Sequence, residues 1–123
     1  MFEHNVVITP FPAASDLSAS QYCFVTMDTA GRIALTGDNL RATGVLQDKP
    51  DAIDRVGGVC CNEGAVTKLK CGGTVAKGDL LTSDASGKAT TAASTNQVNA
   101  VALSDGADGQ VIPAQLSFRG AAA

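Results

Sequence analysis

The chain has 123 residues, of which 45% are apolar and 4% aromatic, with no Trp and a net charge of −3. That length suits one domain with a real core, but nine basic residues spread singly do not form the clustered, phosphate-neutralising surface of a nucleic-acid binder. No apolar run approaches the roughly 18 residues of a membrane-spanning helix, and the first basic residue is Arg32, so the start lacks the charged region of a secretory signal.

Residues 1–21 differ from the rest and are expected to form an N-terminal arm or edge strand. A strand-like run at 5–9 meets Pro10 and Pro12, which keep it out of the middle of a sheet. Phe2, Val6, Val7, Ile8 and Phe11 are apolar for a loose terminus, and they are the candidate contacts to a partner or a neighbouring subunit. Asp16 is a good N-cap and could open one helical turn; no long helix is supported anywhere.

From Tyr22 a β pattern takes over. A strand runs to Met27, a turn follows at 28–31, and the chain returns at 32–35 before a polar break at Gly37-Asp38-Asn39. The next strand, 42–47, is closed by Asp48-Lys49-Pro50-Asp51. Residues 63–76 read as a connecting strand, with Thr67, Leu69 and Cys71 alternating against Lys68 and Lys70 at the period of a half-buried strand. Gly72-Gly73 then leads to a second hairpin, with strands at 80–83 and 88–91 about a turn at 84–87. Near the end Ile112, Ala114, Leu116 and Phe118 alternate with polar neighbours, Pro113 argues for an edge or bulged position, and 120–123 read as a flexible tail.

The two hairpins share one layout, apolar-Thr-x-Asp-x-x-Gly-basic, at Val25-Thr26-Met27-Asp28-Thr29-Ala30-Gly31-Arg32 and Leu81-Thr82-Ser83-Asp84-Ala85-Ser86-Gly87-Lys88. Asp28 and Asp84, Gly31 and Gly87, and Val45 and Val101 are each 56 residues apart. Short strands at regular spacing, with no helical pattern between them, mean an all-β sandwich or small barrel. The constant spacing predicts that it is built from two similar β units, about 22–62 and 77–119, within a single domain at 22–119.

Chemistry is sparse. One histidine, His4, near the terminus is a poor base for a Ser-His-Asp set. Asp48, Asp51 and Asp54, echoed by Asp105 and Asp108, lack the dense oxygen ligands of a calcium loop and read as turn formers. Gly72-Gly73 with Lys77-Gly78-Asp79 lacks the spacing of a phosphate-binding loop. Cys23, Cys60, Cys61 and Cys71 do not match zinc spacing and are expected as free thiols, which favours a reducing compartment during folding. No catalytic residue, metal or cofactor is expected.

Two resemblances remain. Val75-Ala76-Lys77-Gly78-Asp79-Leu80-Leu81, followed by Lys88, resembles the hairpin of lipoyl and biotinyl carrier domains, which would make Lys88 a modified lysine. Gly87 stands where that family places an acidic residue or Met, and Arg32 occupies the matching place in the other hairpin. A longer resemblance is to the capsid cement (head decoration) proteins of tailed bacteriophages. It is carried by Asp16-Leu17-Ser18-Ala19-Ser20-Gln21-Tyr22, Gly44-Val45-Leu46-Gln47-Asp48-Lys49-Pro50, the run from Cys71-Gly72-Gly73-Thr74 through Asp79-Leu80-Leu81-Thr82-Ser83-Asp84, and Ala100-Val101-Ala102-Leu103. Gly57-Gly58 and Cys60-Cys61 depart from the plainer strand of those proteins. The resemblance implies a non-enzymatic virion protein made in the host cytoplasm. It would bind the outer surface of the head, bridge subunits of the major capsid protein, and associate with itself as a dimer or trimer.

Overall fold

The structure, a computed structural model, describes residues 7–122; Phe2 and Val6 lie outside them. None of the described residues is helical, so Asp16 opens no helix; its carboxylate accepts the Ser18 N–H at 2.9 Å in a turn instead. The first five strands are β1 (Ile8–Pro12), β2 (Phe24–Met27), β3 (Ile33–Leu35), β4 (Gly44–Leu46) and β5 (Val56–Cys60). The next five are β6 (Val66–Lys70), β7 (Leu80–Ser83), β8 (Ala89–Thr91), β9 (Gln97–Ala102) and β10 (Val111–Ala121). They form two antiparallel sheets, ordered β1-β5-β4-β2-β3 and β6-β10-β9-β7-β8. The second order is the first advanced by five strands. Each sheet also curls until its ends touch: Ala13 bridges Ile33, and Cys71 bridges Ala89, both in parallel. The all-β body of two similar units is therefore present, each unit a small, nearly closed barrel.

The registers coincide as well. Val25 faces Leu35 and Phe24 faces Val45; 56 residues on, Leu81 faces Thr91 and Leu80 faces Val101. Both hairpin turns are tied by an aspartate. Asp28 Oδ1 accepts from the N–H groups of Ala30 (2.9 Å) and Arg32 (3.0 Å), and Asp84 Oδ1 from those of Ser86 (2.8 Å) and Lys88 (2.9 Å). Positive φ angles fall into five pairs among the described residues: Tyr22 with Gly78, Gly31 with Gly87, Asn39 with Thr95, Asp54 with Gly109, and Gly64 with Gly120. In three of those pairs one or both members are not glycine, so the bend is kept where the sequence no longer advertises it.

The unit boundaries need correcting. The first unit begins at β1, which is an edge strand of its sheet and carries Pro10 and Pro12 within it; by ladder alternation both prolines aim their missing donors at the open edge. Residues 63–76 are no connector, because β6 pairs with β10 as a full member of the second sheet. Gly120 and Ala121 are no tail either: they pair with Val98 and Gln97 past a bulge in β10. Pro113 lies in an interior strand between β6 and β9. It is tolerated there because its carbonyl meets Leu103, one residue past the end of β9, where no ladder bond asks for its nitrogen. The Gly57-Gly58 pair serves close packing: a Cβ on Gly58 would stand 2.6 Å from Ile8 Cγ2, and one on Gly57 2.9 Å from Leu46.

The first unit encloses Ala13, Leu17, Val25, Ile33, Leu46 and Val59. Their counterparts Cys71, Val75, Leu81, Ala89, Ala102 and Ala114 lie in a larger cluster that also takes in Phe24, Val45 and Cys60 from the outer face of the first sheet. The second core is thus completed by the first unit, each buried large aliphatic or aromatic side chain contributing about 1.5–3 kcal/mol. Polar bonds fix the joint. The Phe24 N–H donates to Gly87 O at 2.7 Å, the Asn39 N–H to Ser83 O at 2.9 Å, and the Lys70 N–H to Tyr22 O at 2.8 Å. Asn99, wholly buried, accepts from the Ala42 N–H at 3.2 Å and donates to Leu40 O at 3.0 Å.

Candidate interaction surface

Side chains with chemical potential are spent on structure. The Asp48 carboxylate accepts the Gly58 N–H with both oxygens at 3.1 Å, and Asp105 accepts the Lys77 N–H at 2.9 Å. Asp54 pairs with Arg32 at 2.7 Å on the surface, and the guanidinium holds its carboxyl below the usual carboxylate range. Asp51 meets Arg55 at 3.7 Å. Among the described residues no three His, Cys, Asp or Glu side chains converge as metal ligands would.

The four cysteines are unpaired thiols. Cys60 is buried and Cys61 half-buried, the alternation expected of neighbours at a strand end. Burial pushes the thiols of Cys23, Cys60 and Cys71 up from the ordinary value of 9.0, which leaves them poor nucleophiles at neutral pH. Lys88 follows a turn that is docked on the first unit: Gly87 is buried and its carbonyl is held by Phe24. A carrier lysine needs a projecting hairpin tip, so this geometry opposes modification of Lys88.

The best-formed surface clefts among the described residues are polar. One of about 320 Å³ is lined by Ser18, Ala19, Gln21, Tyr22, Lys49, Lys70 and Val111, the other of about 290 Å³ by the 48–51 turn with Arg55 and Val56. Neither has the apolar walls with convergent polar groups that mark small-molecule sites.

What stands out instead is apolar surface. Val7 is 48% exposed, Ile8 47%, Ile53 58% and Val56 62%. Ile8 and Val56 lie on the paired strands β1 and β5, Ile8 opposite Cys60 and Val56 opposite Pro12. Of the candidate contacts named from the sequence, Val7 and Ile8 are therefore on the surface. Phe11 is partly buried against the first core, and Phe2 and Val6 are outside the described residues. Ile53 and Val56 were not singled out from the sequence. Ile53 sits in a turn and Val56 is the first residue of β5, where isolated apolar side chains give no periodic signal.

No known family profile matches the sequence, and no curated protein does either. Among solved structures, the fold matches the crystal structure of the head fiber gp8.5 N base of bacteriophage phi29. The TM-score is 0.77 at 20% identity, covering 96% of this chain and 98% of that one. At that identity the likeness establishes a shared all-β architecture along almost the whole of both chains.

Proposed function

We propose that the protein is a non-enzymatic structural component of a phage virion. It would sit on the outside of the head, bind the major capsid protein and bridge its subunits, stabilising the shell. The observation that carries this reading is the end-to-end match with the base of a phage head fiber, a component named for its place on the head. The doubled, stiff body supports it: many copies that each favour the assembled shell stabilise it by mass action, with modest energy per site. Contact is through four exposed apolar side chains: Val7 just before β1, Ile8 at its start, Val56 at the far end of the β1–β5 ladder, and Ile53 in the turn before β5. Pro10 and Pro12 blunt the edge of β1, so side-chain packing is favoured over strand addition.

Because β1 is integral to the first sheet, substitution tests this better than truncation. Purified heads incubated with an Ile8→Lys/Val56→Lys variant should retain much less of it than of the parent protein, with the β circular-dichroism spectrum unchanged. Equal occupancy on the heads rejects these side chains as the contact. Failure of the parent protein itself to bind heads from its native source rejects the virion role.

A further inference from the structure

The joint inside the chain has a giving side and a receiving side, and they are different surfaces. The second unit gives its 84–88 turn; the first receives it on Cys23, Phe24 and Leu35. The fit is close: a Cβ on Gly87 would stand 2.7 Å from Phe24 O, 3.0 Å from Leu35 Cδ2 and 3.5 Å from Cys23 Cβ.

Shifted by 56 residues, the receiving side becomes Asp79, Leu80 and Thr91, and the giving turn becomes Asp28-Thr29-Ala30-Gly31-Arg32. Both are open. Nothing lies within 4 Å of where a Cβ on Gly31 would stand. Leu80 O accepts from the Ala92 N–H at 2.7 Å, as Phe24 O does from the Thr36 N–H at 3.0 Å, and by ladder alternation the Leu80 N–H, like that of Phe24, points to the same side, away from β9. The row Phe24, Val45 and Cys60 is wholly buried, whereas Leu80 and Val101 are half-buried, Gln115 is exposed, and the nearby Leu103 is 45% exposed. Lys88 lies near Cys23 across the internal joint, and the same shift converts that pair into Arg32 and Asp79, of which Arg32 is already held by Asp54 at 2.7 Å and Asp79 accepts from the Ala76 N–H and the Thr91 hydroxyl.

We infer that a second copy of this chain docks head to tail, its 28–32 turn seated on the Asp79, Leu80 and Thr91 edge of the first. Gly31 O accepts the Leu80 N–H, and Arg32, still paired with Asp54 of its own copy, comes to lie near Asp79. Such a contact is heterologous, so successive copies close into a ring or run on as a filament. It is smaller than the internal joint. Pro12 stands where the second unit has Lys70 and offers no N–H, and the Thr95 N–H is already taken by Ala122 O at 2.8 Å. Association is therefore weak in dilute solution and strengthened wherever copies are held side by side. It does not rest on the virion reading.

Two substitutions separate the sides. Gly31→Asn keeps a left-handed turn but puts a Cβ where the receiving backbone must come; Leu80→Arg spoils the edge and leaves the turn intact. In sedimentation equilibrium the parent protein should associate as its concentration rises, and less so at high salt. Each variant should stay monomeric with unchanged circular dichroism and thermal unfolding. An equimolar mixture of the two should give dimers and nothing larger, because one intact turn then meets one intact edge. A parent protein that is monomeric at its highest soluble concentration, or oligomers that survive either substitution, would overturn the inference.

Discussion

The two units bend their backbones alike and use their outer faces differently. In the first, the row Phe24, Val45 and Cys60 is closed off by the second unit; in the second, Leu80, Val101 and Gln115 remain at least partly in water. Their turns differ in the same sense, since Gly87 is enclosed by the first unit while Gly31 has open space around it. A repeated fold therefore does not carry a repeated energy: equivalent positions differ by whatever happens to cover them.

The largest expected effect comes from breaking the covered row. Phe24→Ala should lower unfolding free energy by about 3–5 kcal/mol in urea titration, while Leu80→Ala should cost less than about 1 kcal/mol. Equal losses would mean that the joint does not bury Phe24 in solution. Next in size is the glycine pair. Gly87→Asn forces a Cβ against Phe24 O and should cost about 1–3 kcal/mol, as overpacking does. Gly31→Asn, in open space, should stay within about 1 kcal/mol.

The turn aspartates sharpen the comparison from the other direction. Asp28→Ala and Asp84→Ala each remove an acceptor of two backbone N–H groups and should cost similar amounts, about 1 kcal/mol each by calorimetry. A large inequality would show that the turns are tied differently in solution. The smallest effect is at alkaline pH. Cys23, Cys60 and Cys71 have thiols raised by burial, so their contribution to stability is intact below 9.0 and is lost as pH climbs above it. Alkylation followed by mass spectrometry should accordingly label half-buried Cys61 first, and the other three together with unfolding.

Much of this architecture is legible in the sequence. The hairpins announce themselves because an aspartate that ties its own turn, and a glycine three residues on, are local chemistry that tertiary packing does not override. The extent of the units is not legible. β1 and β6 hold equivalent places in their sheets, but Ile8-Thr9-Pro10-Phe11-Pro12 and Val66-Thr67-Lys68-Leu69-Lys70 share one identity, Thr9 with Thr67, at a spacing of 58. A search held at 56 passes over it. Nor could the joint be seen, since Phe24 and Leu80 are equally apolar and which of them is covered is decided by the neighbouring unit. Asn99 was the one hint: an amide in a run of Val and Ala needs partners, and it finds them in Leu40 and Ala42. The candidate contacts were half-legible. Val7 and Ile8 stand out as apolar at the terminus, whereas the exposure of Ile53 and Val56 depends on how the turn before β5 folds.

Tyr22 carries a final consequence. It holds φ at 66°, where the second unit has glycine at 88°. A bulky residue resists that bend by roughly 1–2 kcal/mol, and here β6 braces it: Lys70 binds its carbonyl, and the Lys68 ammonium lies 5.7 Å from its ring centre. The first unit thus leans on the second to keep its backbone in shape, while the second leans on the first for apolar cover. Neither half can come apart and leave the other whole, so heating should melt this tandem in one cooperative step rather than two.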